Sequence, residues 1–129
     1  MLNELFQALS KGNIWATKAS MIVTACAQKD DDCVIYDREY YLFDVGLASA
    51  QLIMQATSMG LVAHPIAGYS PKKVREVLSI PDSYQVIALI IIGRKNDAIS
   101  SLLSDKQILA EHKQPERKAL ETFIHHNSF

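Results

Sequence analysis

An α+β fold, with helices packed on a mainly antiparallel sheet, is what the order of apolar segments predicts. Met21 to Ala27 and Tyr84 to Ile92 are nearly continuous apolar runs, short and rich in β-branched residues, as buried strands are. Between them lie a long stretch with helical spacing, from about Asp44 to Met59, and a shorter one opening at Pro71. A doubly wound parallel sheet would need more strand–helix units than the chain displays.

The elements follow in order. Leu2, Leu5, Phe6 and Leu9 recur at helical spacing, and Gly12-Asn13 is a suitable terminator for that first helix. Trp15 is expected to anchor the turn that follows. After the Met21 strand, the polar Gln28 to Asp32 segment reads as a solvated loop. Residues 33–43 fit either a strand, lined by Val34, Tyr36, Tyr40 and Tyr41, or an extended lead-in to the next helix. In that helix Leu47, Ala50, Met54 and Thr57 share one side while Leu52, Ile53 and Ala56 fill much of the rest, so burial is wanted on several sides. Gly60 can end it in a left-handed conformation.

His64 to Tyr69 reads as a loop or short extended piece. Ser70-Pro71 then supplies an N-cap and a first-turn proline, with Val74, Val77 and Leu78 facing inward and Ile80-Pro81 closing the helix. The Tyr84 to Ile92 run carries no charge before Gly93-Arg94 and is expected at the centre of the sheet. Ala98 to Leu109 has mixed signals, and Pro115 to Ile124 reads as a final helix with Leu120, Phe123 and Ile124 inward.

The 129 residues fit one domain, 1–129, since a core of this size removes roughly two thirds of the unfolded surface from water. A composition 49% hydrophobic and 21% charged belongs to folded chains. With 13 basic against 14 acidic residues, no net positive field exists to collect nucleic acid. The longest uncharged interval, Val45 to Pro71, is interrupted by polar residues, Gly60 and Pro65, which argues against a membrane span. The N-terminus lacks a cationic leader and reads as mature protein, so a cytoplasmic location is expected, with Cys26 and Cys33 as thiols.

Several chemistries lack their residues. No G-x-G-x-x-G follows the first strand, and no phosphate loop exists. Cys26, Cys33, His64 and His112 do not have zinc-ligand spacing. Asp44 reads as a carboxylate at a helix entrance, complementing free backbone N–H groups. Ser58 has no triad partners nearby. Tyr36, Tyr40, Tyr41 and Tyr69 suit either burial or stacking on a planar ligand. Ala67-Gly68 after Pro65 fits either a tight bend or a close backbone approach to a planar ring. Lys72, Lys73 and Arg75 are either an anion-binding surface at a helix N-terminus or solvated charges.

Taken together, Tyr41-Leu42-Phe43-Asp44-Val45-Gly46-Leu47-Ala48, Gln51-Leu52, Ala56, Gly60-Leu61, Pro65-Ile66-Ala67-Gly68-Tyr69, Val74, Leu78, Ile80-Pro81 and the strand ending at Gly93 resemble the C-terminal portion of nitroreductases in order and spacing. Gly12-Asn13-x-Trp15 resembles the segment before a central strand of that family, and the match runs over roughly residues 12–121. The resemblance implies an α+β homodimer that binds FMN at its interface and uses NAD(P)H to reduce nitroaromatics, quinones or related small acceptors. It implies that Pro65, Ile66, Ala67 and Gly68 lie beside the flavin ring, Ala67 and Gly68 near its N5, and that Lys113 is the basic residue for the phosphate. Glu111 falls near a second position that is commonly basic. The family's N-terminal Arg-x-Ser-x-Arg and Pro-Ser-x-x-Asn-x-Gln-Pro regions have no counterpart before Leu2. The expectation is therefore a shortened relative, a fragment, or one part of an assembly in which another polypeptide completes the flavin site. A noncatalytic or partner-dependent remnant is the alternative function.

Overall fold

The computed structural model describes residues 1–113 and 115–128. Its main sheet has three antiparallel strands, β1 (Met21–Ala27), β4 (Val62–Ile66) and β5 (Gln85–Gly93), in the order β1-β5-β4. A two-residue hairpin, β2 (Val34–Ile35) with β3 (Arg38–Glu39), turns at Tyr36 with φ +59°. The helices are α1 (Leu2–Leu5), α2 (Tyr40–Ser58), α3 (Pro71–Leu78) and α4 (Asp105–His112).

β5 is central because its side chains are apolar on both faces, and Leu89 and Ile90, one on each, are 0% and 1% exposed. Directly paired residues share a face of the sheet. One face therefore carries the rows Ile22–Ile91–His64 and Thr24–Leu89–Ile66, and the other Val23–Ile90–Pro65 and Met21–Ile92–Ala63. The first face holds the main core, where Leu89, Ile91, Ile66 and Val86 meet Leu5, Ala8, Ala16 and Val74. Full burial of side chains such as Leu89 and Val74 stabilises by about 1.5–3 kcal/mol each. The second face is covered by α2, which packs on β1, β4 and β5.

Pairing shifts between Ala25 opposite Ala88 and Cys26 opposite Val86, so Ile87 is an extra residue in β5. The bulge reverses the alternation beyond it. Val86 thereby joins the core, and Gln85 comes beneath α2, where its Oε1 accepts a 2.6 Å hydrogen bond from the Tyr41 hydroxyl.

Both interior helix ends follow from local chemistry. α2 closes in a Schellman motif: Leu61 N–H donates to the Ala56 carbonyl and Gly60 N–H to that of Thr57, each at 3.0 Å, with Gly60 at φ +73°. α3 begins as its Ser70-Pro71 signature predicts, the Ser70 hydroxyl accepting from Lys73 N–H at 3.3 Å.

Three expectations are corrected and one open alternative is resolved. The first helix stops at Leu5 and tightens into a 3₁₀ turn, Phe6–Ala8, because Leu9 is drawn into a bridge with Tyr69; Gly12-Asn13 lies inside a second 3₁₀ segment, Lys11–Lys18, rather than ending a helix. Asp44 is not at a helix entrance: the hairpin delivers the chain early, and α2 has already begun at Tyr40. The segment around His64-Pro65 is a strand, since at a sheet edge the missing proline N–H costs no ladder bond. The Pro115 to Ile124 helix is absent apart from a 3₁₀ turn, Leu120–Thr122, and Leu120, Phe123 and Ile124 are exposed. Without a surface to cover, a segment that short does not hold a helix.

Candidate functional site

Two places in the chain gather chemistry, and they lie toward opposite ends of β4. Beyond its C-terminal end, Ala67 and Gly68 turn away from the sheet. Ile66 is buried in the core, Pro65 and Ala67 are exposed, and Gly68 is half-buried. The Gly68 carbonyl accepts from Ser10 N–H at 3.0 Å and from Asn13 Nδ2 at 2.9 Å, while Ser70 N–H donates to the Ala8 carbonyl at 2.8 Å. Tyr69 braces the turn by donating its hydroxyl to the Val86 carbonyl at 3.1 Å, and burial raises its pKa.

At the other end of β4, a cavity of about 470 Å³ opens on the core face of the sheet. Its floor is Val62, His64, Ile91 and Gly93. Trp15, Lys18 and Ala19 of the 3₁₀ segment form one wall, and Glu111 and His112 at the end of α4 form another. The connection after β5 closes it with Arg94, Lys95, Asn96, Asp97, Ala98, Ile99, Ser100 and Leu103. The Trp15 and His64 rings meet edge to face, with centroids 5.3 Å apart.

α4 is tied in place by one side chain. Gln107 Oε1 accepts from the Ser104 N–H at 2.9 Å and hydroxyl at 2.8 Å, while Gln107 Nε2 donates to the Gly12 carbonyl at 2.8 Å. The capping bond thus fixes the amide that reaches across to the 3₁₀ segment.

A third feature lies under α2. Asp31, Asp32 and Asp44 line a cleft of about 230 Å³ with Ala27, Tyr41, Val45 and Ala48. Loss of water contact raises the Asp44 pKa, and the charge and hydrogen bonding of Asp32 raise it further. On α3, Lys73 pairs with Glu76 at 3.8 Å, and Lys72 and Arg75 share a shallow cleft with Glu76 and Asp82. Carboxylates therefore offset the cations at this helix N-terminus.

A family model for nitroreductases matches residues 5–94. The chain belongs to the nitroreductase family. It is 33% identical over 114 residues to an uncharacterized 15.4 kDa protein encoded in the ask 5' region of Mycolicibacterium smegmatis, a match covering 88% of this chain and 74% of that one. Among solved structures, a nitroreductase family protein from Clostridium novyi NT superposes with a TM-score of 0.68 at 25% identity, over 74% of this chain and 57% of its own. An oxidoreductase containing FMN superposes with a TM-score of 0.74 at 29% identity, over 99% of this chain and 65% of its own. The chain thus spans less than two thirds of the length of either solved structure.

Within this nitroreductase fold, Pro65, Ile66, Ala67 and Gly68 line none of the three clefts described. Lys113 is exposed at the C-cap of α4, directly after His112 of the large cavity's wall, and is not itself in the lining. His64, Glu111 and His112, the sequence neighbours of the predicted residues, are brought together there. Arg94, Lys95 and Lys18 were missed as candidates; a basic pair directly after the central strand was the available signal. No helix among the described residues is long and apolar enough to cross a membrane.

Proposed function

We propose that this chain forms part of an FMN-dependent oxidoreductase, with the Pro65 to Gly68 segment against the flavin ring and Lys113 toward the phosphate. The observation that carries the reading is the end of β4 in a nitroreductase fold. There Ala67 is small and exposed, on a turn held by the bonds to Ser10, Asn13 and Ala8, so backbone can approach a flat ring with no large side chain in the way. Pro65 has no N–H and Ile66 still belongs to the ladder with β5, so the backbone donors beyond the strand are those of Ala67 and Gly68. When bound, FMN supplies the electron-transfer chemistry. NAD(P)H as donor, a nitroaromatic, quinone or related acceptor, and a cytoplasmic location complete the proposal.

This segment offers one side of a ring. The other side falls to a second polypeptide, most simply a second copy docked through α2, whose only charged residue is Asp44 and which exposes Phe43, Leu47 and Met54.

A second reading, a noncatalytic or partner-dependent member, is favoured by two observations. Asn13 and Ser10 account for a glycine at 68 without any flavin, and Glu111, two residues before Lys113, opposes a phosphate. Titration of the full chain with FMN, followed by flavin absorbance with the oligomeric state measured in parallel, separates the two. The first reading expects saturable binding, weakened by Lys113→Glu, and NAD(P)H oxidation in the presence of a quinone. A folded dimer that shows no saturable binding up to millimolar FMN sinks it.

A further inference from the structure

The large cavity has features that the flavin reading does not use. Its volume, about 470 Å³, falls in the range of small-molecule sites, roughly 300–1,000 Å³. Lys18, Arg94 and Lys95 reach it from two separate segments, and none of them forms an ion pair among the described residues. The Trp15 indole lines the same cavity. Asp97 and Glu111 also line it, so the site offers acceptors as well as cations.

We propose that this cavity binds a planar anionic small molecule of mononucleotide type, its phosphate held by Lys18, Arg94 and Lys95 and its ring against Trp15. Cations alone would suit any anion. A ligand that also carries amino or hydroxyl donors satisfies Asp97 and Glu111, which a bare phosphate or a dicarboxylate leaves unmatched and repels. The Gln107 bond to Gly12 holds the α4 wall in place, so the cavity is present before the ligand arrives.

The site is distinct from the flavin position at Ala67-Gly68. His64 points to the cavity, and the strand rises by about 3.3 Å per residue on its way to the turn. The Lys11–Lys18 segment stands between the two places, with Asn13 against Gly68 and Trp15 on the cavity wall. Occupancy of one site does not require the other, so the proposal stands without the flavin.

Trp15 is the chain's single tryptophan and reports on the site directly. The full chain is titrated with AMP while Trp15 emission is followed, then with orthophosphate, and AMP binding is repeated by calorimetry. The expected result is a saturable AMP signal, weakened about tenfold or more by Arg94→Glu with Lys95→Glu. Orthophosphate should bind at least about tenfold more weakly than AMP. Far-ultraviolet dichroism and the unfolding midpoint verify that the variant is folded, and the single change Lys18→Ala provides a milder second test. No saturable signal up to millimolar AMP, or an affinity indifferent to Lys18→Ala and to the charge reversals, overturns the proposal.

Discussion

Asn13 occupies the space that a side chain on Gly68 would need. A Cβ built on Gly68 would stand 2.5 Å from Asn13 Nδ2 and 2.7 Å from Ser10 Oγ, and that same Nδ2 donates to the Gly68 carbonyl at 2.9 Å. Gly68→Ala must therefore push Asn13 aside and lose the bond, at a cost of about 1–2 kcal/mol. In an Asn13→Ala background the clash with Asn13 is already gone, so the two losses should sum to less than additive. Denaturant unfolding of the four proteins in the cycle checks this, and strict additivity would contradict it.

Thr24 carries the opposite kind of defect. Its hydroxyl is out of water and has no hydrogen-bond partner, on the core face beside Leu89. Valine keeps the shape and the strand preference while removing the orphan oxygen. Thr24→Val should raise stability by about 1 kcal/mol, read as a higher denaturant midpoint with an unchanged slope. A clear loss would mean that the hydroxyl is bonded in solution.

Asp44 should make stability depend on pH in the acid range. Its pKa is raised above the ordinary value of 3.8 by loss of water contact and by Asp32, while Asp31 and Tyr41 line the same cleft. The folded state then holds the proton more tightly than the unfolded chain. The contribution is fully present below the unfolded pKa and is lost as pH rises through the folded one. Asp44→Asn should thus be more stable than the parent at neutral pH and less dependent on pH just above the ordinary carboxylate range. Midpoints measured across that window, parallel for the two proteins, would refute the assignment.

The stripe on α2 predicts association. Phe43 is 62% and Met54 70% exposed, with Leu47 between them on the side of the helix away from the sheet. Leu47→Glu with Met54→Glu should shift the sedimentation profile from dimer to monomer at micromolar concentration while helical dichroism persists. A parent that is already monomeric at that concentration refutes the dimer.

What was legible in the sequence is what short-range chemistry decides. The Met21 to Ala27 strand was read to the residue because its apolar run is bounded by Ser20 and Gln28. Ser70-Pro71 announced α3, and Gly60 the end of α2. β4 was read only as a loop or extended piece because a proline and a histidine interrupt it, and nothing local says that it will be an edge strand. Asp44 was misplaced because the hairpin before α2 is fixed by the left-handed Tyr36 and a bond from Tyr40 N–H to the Cys33 carbonyl, neither visible as a pattern. The large cavity was illegible for a deeper reason. Trp15, His64, Arg94 and His112 belong to four separate segments, and only the folded sheet brings them to one place.

Ile87 gives β5 one residue to spare. A substitution there alters one side chain. The loss of Ile87 itself closes the bulge and leaves Val86 opposite Cys26 and Gln85 opposite Ala27, so the core and the bond from the Tyr41 hydroxyl keep their partners. Lineages carrying this strand should therefore accept a one-residue gap at position 87 far more readily than a one-residue gap within Met21 to Ala27, where every residue is paired and a slip would exchange the two faces.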